Sequence, residues 1–128
     1  MIDYEFYLKQ ARLAMQNSYA PYSGFRVGAC VLTDSGNFYL GTNVENASYG
    51  ASICAERSAV SAAVTAGDGK ISAVFIISDS DYFTTPCGVC RQVISEFAFP
   101  DAEIICANSK GTYKVYTLIE LLPEAFNL

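Results

Sequence analysis

The 128-residue chain has no histidine and no tryptophan, and only 16% of its residues are charged. Without an imidazole there can be no Ser-His-Asp triad, no Cys-His nucleophile and no histidine-ligated metal. Basic residues are scarce: 8 Lys and Arg stand against 13 Asp and Glu, a formal net charge of −5. A surface of that sign is repelled by nucleic-acid phosphates and by anionic membranes, so neither is an expected partner. The longest unbroken apolar run lies around Ala73 to Ile77, far short of the ~20 residues that span a bilayer. The N-terminal MIDYEFYLKQ lacks the basic start and apolar stretch of a signal peptide, so the protein is expected to be soluble and cytoplasmic. Internal repeats, low-complexity tracts and long linkers are also missing.

What remains is apolar and folds. Hydrophobic residues make up 52% of the chain, which excludes intrinsic disorder. The length suits one domain over residues 1–128. Asp3 to about Ser18 reads as a helix with Asp3 as N-cap and an apolar stripe of Tyr4, Tyr7, Leu8, Ala11 and Met15. Val27 to Leu32 reads as a strand buried on both faces. The turn Asp34-Ser35-Gly36-Asn37 leads to a second strand from Phe38 to about Glu45. An Ala-rich helix follows from about Cys54 to Ala66, then a β-branched strand from Ile71 to Ser78. Pro86 is placed in the first turn of a helix to about Phe97. Glu103 to Ala107 and Thr112 to Thr117 read as strands, and Thr117 with Glu120 forms a capping box for a short last helix. This order predicts an α/β fold, a three-layer α-β-α sandwich around a five-stranded mixed sheet. The short link Asn108–Gly111 makes the last two strands antiparallel.

The five cysteines are Cys30, Cys54, Cys87, Cys90 and Cys106. Cys30 and Cys106 fall mid-strand, where cysteine usually behaves as a small hydrophobe. Cys87 and Cys90 lie three apart at a helix start, where the macrodipole favours thiolate. On its own this CxxC could be a redox pair, half a zinc site or a coincidence. Cys54 also begins a helix, and two residues on stands the carboxylate of Glu56. Both helix starts can meet at one edge of the sheet, letting three thiolates converge on one Zn²⁺. Three protein ligands leave a position open for water, as in a catalytic site. A fourth ligand from Cys30 or Cys106 would make the site structural.

Cys54-Ala55-Glu56 together with Pro86-Cys87-Gly88-Val89-Cys90-Arg91-Gln92 resembles the zinc-dependent cytidine deaminase family. The likeness extends to Tyr19–Ser23, Phe25–Ala29, Asn43–Tyr49 and the tail Glu120–Phe126. It implies hydrolytic deamination of cytidine and 2′-deoxycytidine to uridine and 2′-deoxyuridine, with release of ammonia. It further implies one zinc per subunit on Cys54, Cys87 and Cys90, and Glu56 as a proton shuttle that is not a ligand. Asn43 and Glu45, taken to alternate on one strand face, are implied contacts for the ribose 3′-hydroxyl. Phe25 is implied to stack on the ring, and backbone groups of Ala55 and Thr85 to meet the pyrimidine edge. Small members of the family are homotetramers whose sites borrow residues from neighbours, and Tyr49 and Phe126 match such positions. In similar three-cysteine sites the arginine after the glutamate, here Arg57, draws negative charge off the thiolates, while Arg91 reads as a surface helix charge. Alternatives are a deaminase of another aminopyrimidine such as blasticidin S, and a non-enzymatic module stabilised by four-coordinate zinc. A nucleic-acid editing deaminase would carry a helix between the last two strands and a basic channel, neither of which this sequence offers.

Overall fold

The computed structural model describes residues 1–128. Its elements are α1 (Tyr4–Met15), β1 (Val27–Thr33), β2 (Phe38–Thr42), a 3-10 turn (Tyr49–Ala51), α2 (Ala55–Thr65), β3 (Ile71–Ser78), α3 (Gly88–Phe97), β4 (Ala98–Ala107), β5 (Tyr113–Thr117) and α4 (Leu118–Leu121). The strands form one sheet in the order β2-β1-β3-β4-β5. Only β3 and β4 run parallel, and β4 and β5 are antiparallel as expected.

Two apolar layers sandwich the sheet. Leu8, Ala11 and Met15 of α1 pack on Cys30, Leu32, Phe75, Ile77 and Ile105. On the other face Ala55, Ala59, Val60 and Ala63 of α2, Ile94 of α3 and Leu118 of α4 pack on Val31, Val74, Ile76 and Ile104. Every residue of β1 is buried, the mark of a strand covered on both faces. Two glycines set the helix spacing. A Cβ at Gly28 would meet the Ala11 carbonyl oxygen at 1.9 Å, and one at Gly41 would meet the Ala55 carbonyl oxygen at 2.4 Å. Gly28 therefore lets α1 lie directly on β1, and Gly41 lets the first turn of α2 lie on β2. Gly41 thus fixes the height of Cys54 and Glu56 above the sheet.

Four boundaries differ from the sequence reading. Helix α1 stops at Met15 rather than near Ser18, because the next N–H groups bond inside a turn: Asn17 to Ala14 and Ser18 to Met15. Strand β2 ends at Thr42, and beyond it only Val44 makes isolated bridges, to Tyr19 and Ile53. Pro86 lies outside α3, whose N-cap is Cys87. Strand β4 begins at Ala98 rather than Glu103. Its first residues are mostly exposed and join β3 only through the pairing Ile71↔Ala98, ahead of a register shift. Pro100 and Asp101 disguise that stretch as a turn.

One edge of the sheet gathers the loops. Val27 pairs with Ser78 and Gly28 with Thr42, so the start of β1 and the ends of β2 and β3 lie together. The loop after β3 joins the end of β4 through Thr84 N–H to the Ala107 carbonyl. That is the carboxyl end of the parallel pair, where α/β folds build their sites.

Candidate metal and catalytic site

Cys54 and Cys87 are the N-caps of α2 and α3, and neither side chain makes a capping hydrogen bond. Their sulfurs are free to turn away from their own helices and toward each other. The Sγ atoms of Cys54 and Cys87 stand 3.9 Å apart, and those of Cys54, Cys87 and Cys90 all lie within 4.8 Å of one another. Tetrahedral zinc with Zn–S of ~2.3 Å requires sulfurs ~3.8 Å apart. The spacing and the soft thiolate donors both fit zinc. Cys30 and Cys106 do not join the cluster; each is fully buried in its strand.

The thiols of the cluster are electrostatically linked. Hydrogen bonding to Cys90, reinforced by Arg57 and Cys87, holds the Cys54 thiol down at about 5 against its burial. The same pairing pushes the Cys90 thiol up. The Arg57 guanidinium donates Nη2–H to the Ser52 carbonyl at 3.3 Å, while its buried Nε has no hydrogen-bond partner. Burial pulls that guanidinium down, but the Cys54 and Cys90 sulfurs more than offset it. Arg91 differs from its sequence reading. It is half-buried and bonds the carbonyls of Pro86 and Leu121.

Glu56 sits in the first turn of α2, only 4% exposed. Burial pushes its carboxyl up to about 7, with the nearby Cys54 charge adding to the effect. A carboxyl poised near neutral pH can both take and give a proton.

Glu56 lines a cavity of about 380 Å³ together with Phe25, Asn43, Glu45, Tyr49, Cys54, Ala55, Arg57, Thr85 and Cys87. The expected site residues are thus brought to one place, apart from Cys90, which joins the sulfur cluster without lining the cavity, and Phe126. Phe126 lies 69% exposed at the C-terminal end and outside the cavity of its own chain. Val27, Ser52, Ile53 and Thr84 also line the cavity and escaped the sequence reading. For Ser52 and Ile53, their place just before Cys54 was the available signal.

Asn43 is buried and largely committed. Its Oδ1 accepts from Val27 N–H at 3.0 Å and from the Ser18 hydroxyl, and its Nδ2 donates to the Phe25 carbonyl at 2.7 Å. One amide N–H remains for a ligand. Glu45 accepts from Tyr22 N–H at 2.9 Å, Ser23 N–H at 3.1 Å and the Ser23 hydroxyl. The Ser23 hydroxyl bond keeps this carboxyl below its ordinary value. A free N–H and an ionised carboxylate, on two residues that line the cavity, suit one hydroxyl that accepts from the first and donates to the second.

Comparison with known proteins agrees with this geometry. Residues 1–107 match the family described as the cytidine and deoxycytidylate deaminase zinc-binding region. A cytidine deaminase of Halalkalibacterium halodurans is 39% identical over 125 residues, covering 98% of this chain and 95% of that protein. A probable cytidine deaminase of Dictyostelium discoideum is 44% identical over 119 residues, covering 91% of this chain and 79% of that protein. The crystal structure of cytidine deaminase from Burkholderia pseudomallei superposes with a TM-score of 0.92 at 40% identity, covering 98% of this chain and all of that one.

Proposed function

The chain belongs to the cytidine and deoxycytidylate deaminase zinc-binding family, and from that premise we propose that it converts cytidine and 2′-deoxycytidine, with water, to uridine and 2′-deoxyuridine plus ammonia. The observation that carries the reading is the meeting of three cysteine sulfurs at two helix starts with a buried carboxyl beside them in a nucleoside-sized cavity. Cys54, Cys87 and Cys90 would hold one zinc ion. When bound, zinc supplies the Lewis acidity that makes water a nucleophile near neutral pH.

The remaining work falls to the chain's own groups. Glu56 takes a proton from the attacking water, delivers one to ring N3, and carries one to the amino group that departs as ammonia. The side chain of Phe25 packs on the base. The Ala55 N–H, unpaired within α2 because it lies in the first turn, is available to the pyrimidine edge, as is the backbone of Thr85. Asn43 and Glu45 grip the 3′-hydroxyl. Arg57 tempers the negative charge of the three thiolates.

The same reading makes residues 1–128 one catalytic domain, working in pyrimidine salvage in the cytoplasm as a homotetramer. No helix is long and apolar enough to cross a membrane. Support for the assembly comes from Phe126, 69% exposed and outside the cavity of its own chain, which matches a position that completes a neighbour's site in similar proteins. Tyr49, the other such position, is 77% exposed and borders the cavity of its own chain. The test is direct. Purified protein should change the ultraviolet absorbance of cytidine to that of uridine, lose this activity to a zinc chelator, and regain it with Zn²⁺. An inactive protein with one zinc bound per chain would refute the assignment.

A further inference from the structure

We propose that Arg91 is a positioning residue for the Cys87–Cys90 turn at the start of α3, acting through two main-chain carbonyls rather than through its charge on the thiolates. Arg91 follows Cys90 in the first turn of α3. Its Nε donates to the Pro86 carbonyl at 2.7 Å and its Nη1 to the Leu121 carbonyl at 2.7 Å. Pro86 is buried and immediately precedes the N-cap Cys87. Holding the Pro86 carbonyl fixes the peptide plane from which Cys87 departs, and hence where its sulfur points. Leu121 ends α4, where the last carbonyls have no acceptor role inside the helix. A single guanidinium therefore satisfies a carbonyl beside the metal loop and another at the far end of the chain. The neighbouring Gln92 adds a third tie, from its Nε2 to the Phe126 carbonyl at 3.0 Å. The fork of donors is what the task needs: a lysine carries the same charge but presents one compact point that cannot span both carbonyls.

Arg57 supplies the contrast. Its Nη2 donates to the Ser52 carbonyl and its charge lowers the Cys54 thiol, whereas Arg91 bonds the carbonyls of Pro86 and Leu121.

This inference rests on the reading of Cys87 as a zinc ligand, and the experiment separates the two. Zinc release from the purified holoprotein to a chromogenic chelator is timed for wild type, Arg91→Lys, Arg91→Gln and Gln92→Ala, with thermal unfolding followed in parallel. Residues that orient ligands typically change metal affinity by 10–100-fold. Both Arg91 variants should release zinc roughly 10-fold faster or more, and Gln92→Ala, which frees only the tail, should match wild type. KM for cytidine should move less than the release rate. Wild-type release from Arg91→Lys would mean that charge suffices and would overturn the proposal. So would equally fast release from Gln92→Ala, which would assign the effect to the C-terminal segment. Should Arg91→Gln fail to fold, Arg91→Lys carries the test. If a Cys87→Ala protein keeps zinc as well as wild type does, it is the ligand reading itself that fails.

Discussion

Cys30 and Cys106 lie inside β1 and β4, each fully buried, and burial pushes both thiols up to about 12. Cys54, Cys87 and Cys90 lie at the starts of α2 and α3, their sulfurs clustered and Cys54 held down at about 5. The residue type is the same, and the backbone around it decides its chemistry. A sulfur in a strand interior is cut off from water by packed neighbours, so the proton stays. Cys54, at the start of α2, is lowered instead by hydrogen bonding to Cys90, with Arg57 and Cys87 adding to it, while the same pairing pushes the Cys90 thiol up. The sheet cysteines are built into the core and lie outside the cluster.

The most severe test of this division is Cys87→Ala. Two thiolates hold zinc far less well than three, so the purified variant should lack metal and be inactive. Metal analysis beside the cytidine assay decides it. Full zinc occupancy with activity would mean that a strand cysteine can serve as a ligand after all.

Glu56→Gln probes whether the acid beside the cluster belongs to the ligands or to the chemistry. The amide keeps the shape and the fold but cannot carry protons. Zinc should remain at one per chain while kcat falls by ~10²–10⁴-fold or more. Loss of zinc in this variant would place Glu56 among the ligands and dissolve the distinction.

Much of this was legible in the sequence because its signals are local. The CxxC at a helix start, the Glu two residues after Cys54 and the β-branched run of β3 each sit within one short window. Distant partners were not legible. The Ser18 hydroxyl reaches Asn43 and the Ser23 hydroxyl reaches Glu45 across more than twenty residues, and no periodicity announces such bonds. Arg91 looked like a surface charge because nothing near it in sequence reveals that Leu121 folds back to meet it. The early part of β4 was missed because Pro100 and Asp101 mimic a turn, and its pairing with Ile71 is set by the fold. Gly28 and Gly41 were readable as strand residues, but the helix carbonyls pressed against them were not.

Arg57→Gln sharpens the comparison on the charge side. Arg57 is one of the groups that lower the Cys54 thiol, and hydrogen bonds to charged groups are worth about 1.5–3 kcal/mol. Turnover should fall by roughly 10–100-fold, with KM for cytidine changing less, because the defect lies in the transition state. Zinc should remain bound, in contrast to the Arg91 variants. Wild-type kinetics for Arg57→Gln would show that the cluster needs no cationic neighbour.

The smallest effect on function is expected where the sulfur is most deeply buried. Cys30→Ala removes one atom from a layer packed between α1 and the sheet, opposite Leu40 and Phe75 in the strand pairings. That face is remote from α2 and α3, which carry the cluster, so neither the ligand spacing nor the Glu56 carboxyl has reason to move. The loss is one of packing, about 1–2 kcal/mol for the buried sulfur and the gap it leaves. For a chain of this size that lowers the unfolding midpoint by roughly 2–8 °C. Zinc content should stay at one per chain and kcat/KM within about twofold of wild type. Cys106 is a harder case, since it lies on the α2 and α3 face and feels the charges of Glu56 and Arg91, so Cys106→Ala should cost similar stability with a slightly larger change in turnover. If Cys30→Ala released zinc or lost activity tenfold while remaining folded, sulfurs on both faces of the sheet would share one function, and helix-start placement would no longer account for which cysteines bind metal.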